Sequence, residues 1–336
     1  MALPEETPSG WYLWYLLGVS PLFPRRSIRP RNSVVQQGLL DFGEASPLAT
    51  EEPPPAPQPA PVRRALPERL DGPPLRIGVL GSGSGGNSVV VESGPNRLLI
   101  DAGFSCRELM RRMKTLDFDP ATLGGLVLTH EHVDHCRGAD RLAHKLKIPV
   151  YATSGTLAGT RLRQEVHLSA VTRGILRSGE PREIAGFLVE PFSLPHDARE
   201  PIGMVVEDSL GRRVGLVADI GCRTSLAWGR LRDVDVLILE TNHDLDMLRN
   251  GPYPWMLKQR IAGRHGHLSN RDAADGLPEL MGDRLRWVVL YHLSETNNLP
   301  ALAASAIGEV LDRERCPARM AVTAQDHPYP WLEVTV

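Results

Sequence analysis

Short runs of apolar residues alternating with turn-forming clusters begin at Leu75, and their period decides the elements. Leu75–Leu80, Ser88–Glu92 and Arg97–Ile100 read as strands joined by the glycine-rich stretch 81–87 and the turn 93–96. Arg107–Leu116 carries its apolar residues at helical spacing. Gly125–Thr129 reads as a buried strand, followed by one helix from Val133 to about Leu146. Phe187–Phe192, Gly203–Glu207, Arg213–Val217, Val234–Leu239 and Trp287–Tyr291 continue the strand series. Asn270–Leu280 is predicted helical with Ser269 or Asn270 as its cap. Strand hairpins mixed with helices predict an α/β layered domain with mixed sheets over residues 75–336.

The first 74 residues differ in kind. They hold 15 of the 29 prolines and show no sustained period, so they read as a disordered extension. Within them Gln37, Leu40 and Phe42 fit Q-x-x-L-x-F, which resembles the peptide by which bacterial replication and repair proteins dock on a sliding clamp. The competing reading is a chance apolar patch. The longest apolar run, Trp11–Val19, falls short of the ~20 residues a membrane helix needs and follows acidic Glu5 and Glu6. Cys106, Cys136, Cys222 and Cys316 form no CxxC pair, as expected of a reduced, cytoplasmic chain. A net charge of −2 excludes a broadly basic nucleic-acid-binding surface, so any grip on phosphate must be local.

Chemistry concentrates in Thr129-His130-Glu131-His132-Val133-Asp134-His135. Alternation in extended chain sends His130 and His132 to one side, and the ensuing helical turn brings Asp134 and His135 round beside them. Such a set suits two divalent ions, Zn²⁺ or Mn²⁺, a few ångströms apart. Burying this much polarity unpaired would cost several kcal/mol per group. The glycine loop 81–87 lacks the Lys-Ser/Thr of a nucleotide loop and leads into a strand, so it reads as a tight turn near the site. Cys136 is expected to be a buried thiol on the helix.

H-x-H-x-D-H in this setting resembles the metallo-β-lactamase superfamily, which implies a four-layer αββα sandwich holding one or two metals at the sheet edges. Carried over by position, Asp101 looks like a group that orients a ligand, His196 like the third ligand of the first metal, and Asp219 like the bridging carboxylate. His292 looks like the last ligand of the second metal. The words Gly81–Ser88, Leu239-Glu240-Thr241-Asn242-His243-Asp244, Gly266-His267-Leu268-Ser269-Asn270 and His292–Asn298 narrow the resemblance to the YycJ (WalJ) branch of nuclease-like proteins. Thr241 departs from the small residue expected there. Glu240 and His267 parallel the Glu–His pair that phosphodiesterase members add to the ligands. Asp134, Glu240 and His267 are therefore the candidate catalytic groups.

Two ions sharing Asp219 imply a hydroxide held between them, since coordination lowers the pKa of water to near neutrality. A phosphodiester also needs its alkoxide leaving group protonated, and His267 oriented by Glu240 suits that task. Lys258, Arg260, Arg264 and Arg271 flank His267 as local phosphate grips or as a solvated helix face. Asn297 and Asn298 are candidates for phosphate binding or for capping the next helix. The resemblance implies DNA attacked from the 5′ end, with RNA as the alternative substrate. The competing functions are a thioester or lactone hydrolase of the same fold and an inactive DNA-binding adaptor.

Overall fold

The computed structural model describes residues 72–160 and 171–335. Most of the proline-rich extension, including Gln37, Leu40 and Phe42, lies outside them. Among the described residues are fourteen strands, β1 (Leu75–Gly81), β2 (Ser88–Ser93), β3 (Asn96–Ile100), β4 (Gly125–Val127), β5 (Val150–Ala152), β6 (Arg173–Ile175), β7 (Arg182–Ile184), β8 (Phe187–Ser193), β9 (Ile202–Glu207), β10 (Arg213–Val217), β11 (Val236–Glu240), β12 (Trp287–Tyr291), β13 (Arg319–Val322) and β14 (Tyr329–Val334). One sheet runs β14-β1-β2-β3-β4-β5-β6 and the other β13-β12-β11-β10-β9-β8-β7. Each sheet is antiparallel over its hairpins and turns parallel beyond them, at β3–β4–β5–β6 and at β10–β11–β12–β13. Parallel strands need both faces covered, which places helices outside each sheet.

Those helices are α1 (Cys106–Thr115), α2 (Val133–Cys136), α3 (Ala139–Leu146), α4 (Ser154–Gly159), α5 (Ser225–Leu231), α6 (Leu245–Asn250), α7 (Trp255–Ile261), α8 (Asn270–Gly276) and α9 (Pro300–Arg313). Side-chain alternation sorts the core into layers. In β11, Val236 and Ile238 face the other sheet, while Leu237 and Leu239 pack under α5, α8 and α9. Val127 of β4 joins the inter-sheet core, and Leu126 turns outward to Leu109 and Met113 of α1 and Leu142 of α3. The result is the αββα sandwich that the resemblance implied.

The single helix expected from Val133 to Leu146 is two helices, broken at Arg137-Gly138. Gly138 N–H donates to Ala102 O at 2.8 Å, and a Cβ there would collide with the Phe104 carbonyl. Close backbone approach, not helix propensity, sets the break. α2 ends against the loops after β1 and β3: Asn87 N–H donates to Asp134 O at 2.8 Å and Ala102 N–H to His135 O at 2.7 Å. These bonds satisfy carbonyls that a four-residue helix leaves open. The helix expected over Asn270–Leu280 is α-helical only to Gly276, and a 3₁₀ turn over Leu277–Leu280 takes in Pro278. Ser269 is its cap, accepting from Asp272 N–H at 3.0 Å. No helix among the described residues is long and apolar enough to cross a membrane.

Candidate metal centre

The carboxyl ends of parallel strands in both sheets open onto one cleft, the usual place for a site in α/β sheets. Asp101 follows β3, His130 to His135 follow β4, Asp219 follows β10, Glu240 ends β11 and His292 follows β12. His196 arrives after β8, and His267 lies between α7 and α8. Asp101, Asp219 and His292 take left-handed backbone conformations, with φ of 58°, 54° and 60°. Side chains other than glycine rarely adopt these, and in each case the strand turns sharply so that its next side chain enters the cleft.

Two clusters of donors meet there. His130, His132 and His196 form one, and Asp134, His135 and His292 the other; within each the nearest donor atoms lie within 4.8 Å of one another, and the overlapping sets Asp219, Glu240, His267, His292 and His130, His135, Asp219 are as close. Each cluster takes two residues from the first sheet's loop and one from the second sheet. Asp219 lies between them, its carboxylate 2.9 Å from His135 Nε2 and 3.6 Å from both His196 Nε2 and His292 Nε2. The outer nitrogens are fixed by the protein. His135 Nδ1 donates to Asp101 Oδ2 at 2.7 Å, His292 Nδ1 lies 3.1 Å from Glu240 Oε1, and His196 Nδ1 donates to Gly266 O at 3.0 Å. His130 Nδ1 sits 3.1 Å from Thr129 Oγ1, whose hydroxyl contacts Asp101 Oδ2 at 2.8 Å. Such outer partners orient metal-binding imidazoles in known sites.

What remains fits divalent cations. His130 Nε2 is buried with no hydrogen-bond partner, and His132 Nδ1 faces His196 Nε2 at 3.2 Å. Two imidazole lone pairs cannot share that gap without a proton or a cation between them. Burial and the neighbouring imidazoles hold His130 well below its usual pKa, and burial likewise lowers His196. Neutral imidazole and ionised carboxylate are the forms that ligate metal.

His135 and His292 are each flanked by carboxylates. Each presents both nitrogens to carboxylates, His135 to Asp101 and Asp219 and His292 to Glu240 and Asp134. Burial alone would lower both, yet those carboxylates raise His135 well above its usual value and His292 to about 10. A raised pKa opposes ligation, because an imidazole must be neutral at the nitrogen that binds a cation. Zinc or manganese added to chelator-treated protein should release about two protons per saturated site. Calorimetry in buffers of different ionisation enthalpy measures that number, and no release would mean that His135 and His292 are already neutral before metal binds.

Beside the second cluster, Glu240 is fully buried and accepts from Ile220 N–H at 2.7 Å and Leu268 N–H at 3.1 Å through Oε2. Its Oε1 lies 2.8 Å from His267 Nδ1. Burial would raise the carboxyl, but His267 and His292 bring it down to about 2. Glu240 in turn raises His267 against the effect of burial. The His267 side chain is 22 % exposed, so the ring is reachable from the cleft, with Nε2 as its uncommitted nitrogen.

Other expectations meet mixed outcomes. Lys258 donates to Arg249 O at 2.8 Å, Arg260 pairs with Asp197 at 2.5 Å, and Arg264 is exposed on the rim of a cavity with Arg223 and Thr224. Asn297 and Asn298 do not reach the cleft surface as phosphate contacts would. Asn298 is buried and divides its amide among Thr241 O, Asn242 O, Asn270 and Leu299 N–H, clamping three loops, while Asn297 is fully enclosed. Cys136 is half-buried rather than a core thiol; its Sγ donates to Glu131 O, and burial pushes its pKa up to about 12. Three supporting residues were not singled out from sequence. Asn87 Nδ2 lies 3.4 Å from Asp134 Oδ2 and 3.1 Å from His135 Nε2, Asn242 Nδ2 lies 3.1 Å from His292 Nδ1, and Asp197 Oδ1 lies 3.4 Å from His196 Nε2.

Comparisons with known proteins show the family. The family model for the beta-lactamase superfamily domain matches residues 96–293. Exodeoxyribonuclease YycJ of Bacillus anthracis is 32% identical over 240 residues, 71% of this chain and 90% of that protein. Exodeoxyribonuclease WalJ of Streptococcus pneumoniae serotype 2 is 33% identical over 233 residues, 68% of this chain and 85% of the relative. Among solved structures, the metallo-beta-lactamase fold protein YhfI from Bacillus subtilis superposes with a TM-score of 0.59 at 16% identity, over 76% of this chain and 99% of that one. The chain belongs to the metallo-β-lactamase superfamily, in the branch that contains YycJ and WalJ.

Proposed function

We propose that the protein is a metal-dependent exodeoxyribonuclease that shortens DNA from its 5′ end in the cytoplasm, with residues 75–336 as the catalytic unit. The observation that carries this reading is the buried Glu240 holding His267 beside the two donor clusters. A phosphodiester differs from a thioester or lactone in its leaving group, a poor alkoxide that must take a proton as it departs. An imidazole whose Nδ1 is held by a buried carboxylate keeps its other nitrogen, Nε2, as the donor for that proton. The DNA substrate and the 5′ to 3′ direction rest on the likeness to the YycJ and WalJ branch.

His130, His132 and His196 would hold one cation, and Asp134, His135 and His292 a second, with Asp219 shared. Divalent ions bound there would withdraw charge from a phosphoryl oxygen and ionise water at neutral pH. The chain's own part is orientation and proton supply. Asp101 and Thr129 set the His135 and His130 rings, Gly266 O sets His196, and Glu240 sets both His267 and His292.

Digestion of 5′- and 3′-labelled single- and double-stranded DNA and RNA by metal-loaded protein tests the reading. Stepwise loss of nucleotides from the 5′ end of DNA is expected. Intact nucleic acids alongside turnover of a thioester or lactone would overturn it.

A further inference from the structure

Residues 247–271 hold five cations, Arg249, Lys258, Arg260, Arg264 and Arg271, in a chain whose net charge is −2, and Asp246 and Asp272 bound the stretch. Arg249 pairs with Asp246, Arg260 with Asp197 and Arg271 with Asp275, so among the described residues Lys258 and the exposed Arg264 are its cations without a carboxylate partner. The stretch is the local basic tract that the overall charge left room for. α7 lies at its centre and buries none of its residues. Trp255 is 66% exposed and Met256 75%, the two most exposed large apolar side chains among the described residues. An indole left this bare loses the burial that normally stabilises it, and nothing in α7 packs over it.

The helix is nonetheless tied to the site at its other end. Ile261 O accepts from His267 N–H at 2.8 Å, and Arg260 pairs with Asp197, which lies 3.4 Å from His196 Nε2. Six residues of helix rise separate Trp255 from Ile261, about 9 Å, the length of two or three stacked nucleotides. An aromatic face at the end of a basic track is the composition by which proteins hold single-stranded nucleic acid without reading its sequence.

We propose that Trp255, flanked by Met256, is a stacking platform for an unpaired base of the strand whose end lies in the cleft, with the basic tract holding the phosphates between. The proposal rests on the nuclease reading and gives it a specificity: the strand is engaged with its bases unpaired. Trp255 acts on substrate binding, and the bond-breaking groups remain Glu240 and His267.

The test compares a labelled single-stranded decathymidylate with an abasic chain of equal length and charge. Binding to full-length, metal-loaded protein is followed by stopped-flow anisotropy before cleavage sets in. The wild-type protein should bind the base-bearing strand about 5- to 150-fold more tightly, the range expected for one stacked base. Trp255→Ala should bring that ratio towards one and leave both abasic-chain binding and bis(p-nitrophenyl) phosphate hydrolysis unchanged. Trp255→Phe should keep most of the preference. An unaltered ratio in Trp255→Ala overturns the proposal. So does an unaltered ratio accompanied by loss of a dimer in sedimentation, which would make the patch a contact between copies of this chain. A wild-type protein that stacks bases yet cleaves no phosphodiester would sink the nuclease reading alone.

Discussion

Replacing His267 with alanine should lower kcat on DNA by about 10²- to 10⁴-fold, the range for losing a positioned general acid. On bis(p-nitrophenyl) phosphate, whose leaving group departs without a proton, the loss should be less than about tenfold. That contrast is the informative part, because a general collapse of the site would depress both substrates equally. Metal content should stay at the wild-type level where the ions rest on His130, His132 and His196 and on Asp134, His135 and His292, although His267 also stands in a possible donor set with Asp219, Glu240 and His292. Equal losses on the two substrates would remove His267 from the role of proton donor. Loss of metal in the variant would instead make it a ligand, which its 3.4 Å separation from Asp219 allows.

Asp219→Asn is the second large effect. Asparagine tolerates the left-handed backbone found at Asp219, so the turn after β10 should survive the substitution. What disappears is the negative charge between His135, His196 and His292. Turnover should fall about a hundredfold or more, because cation stabilisation of the transition state is worth several kcal/mol and each 1.4 kcal/mol is tenfold. Bound metal, measured by elemental analysis, should fall with it. The metal-free variant should also lose about 3–5 kcal/mol of stability in denaturant, the cost of breaking a buried pair and leaving His135 with less counter-charge. Wild-type metal content and turnover would show that the carboxylate plays no part in ion binding.

How much of this was legible depends on how local each signal is. His130 to His135 could be read directly, because strand alternation followed by one helical turn fixes their relative directions within six residues. Asp101, His196, Asp219 and His292 have no such local logic; they stood out only through resemblance, and folding gathers them at neighbouring strand ends. Asn87 went unread for the same reason, since its partners are 47 and 48 residues away. Asn297 and Asn298 could not be assigned between phosphate binding and capping, because a pair of amides after a motif histidine looks the same whether it faces solvent or ties loops together. The three-residue strands β5, β6 and β7 are too short for a period of two to register. The break at Gly138 depends on a carbonyl more than thirty positions earlier, which helix propensity does not contain.

His130, His132 and His196, like Asp134, His135 and His292, draw members from both sheets, so those two sets close only when the sheets sit at the right separation, whereas Asp219, Glu240, His267 and His292 all stand on the second sheet's side. Coordination tolerates errors of only about 0.2 Å, a finer standard than stability imposes on an apolar interior. The layer where Val127 meets Ile238 thus works as a spacer gauge as well as ballast. Its permissible side chains are narrowed by bond lengths several residues downstream, and drift in its volume would register first as weakened ion affinity in a protein that is still well folded.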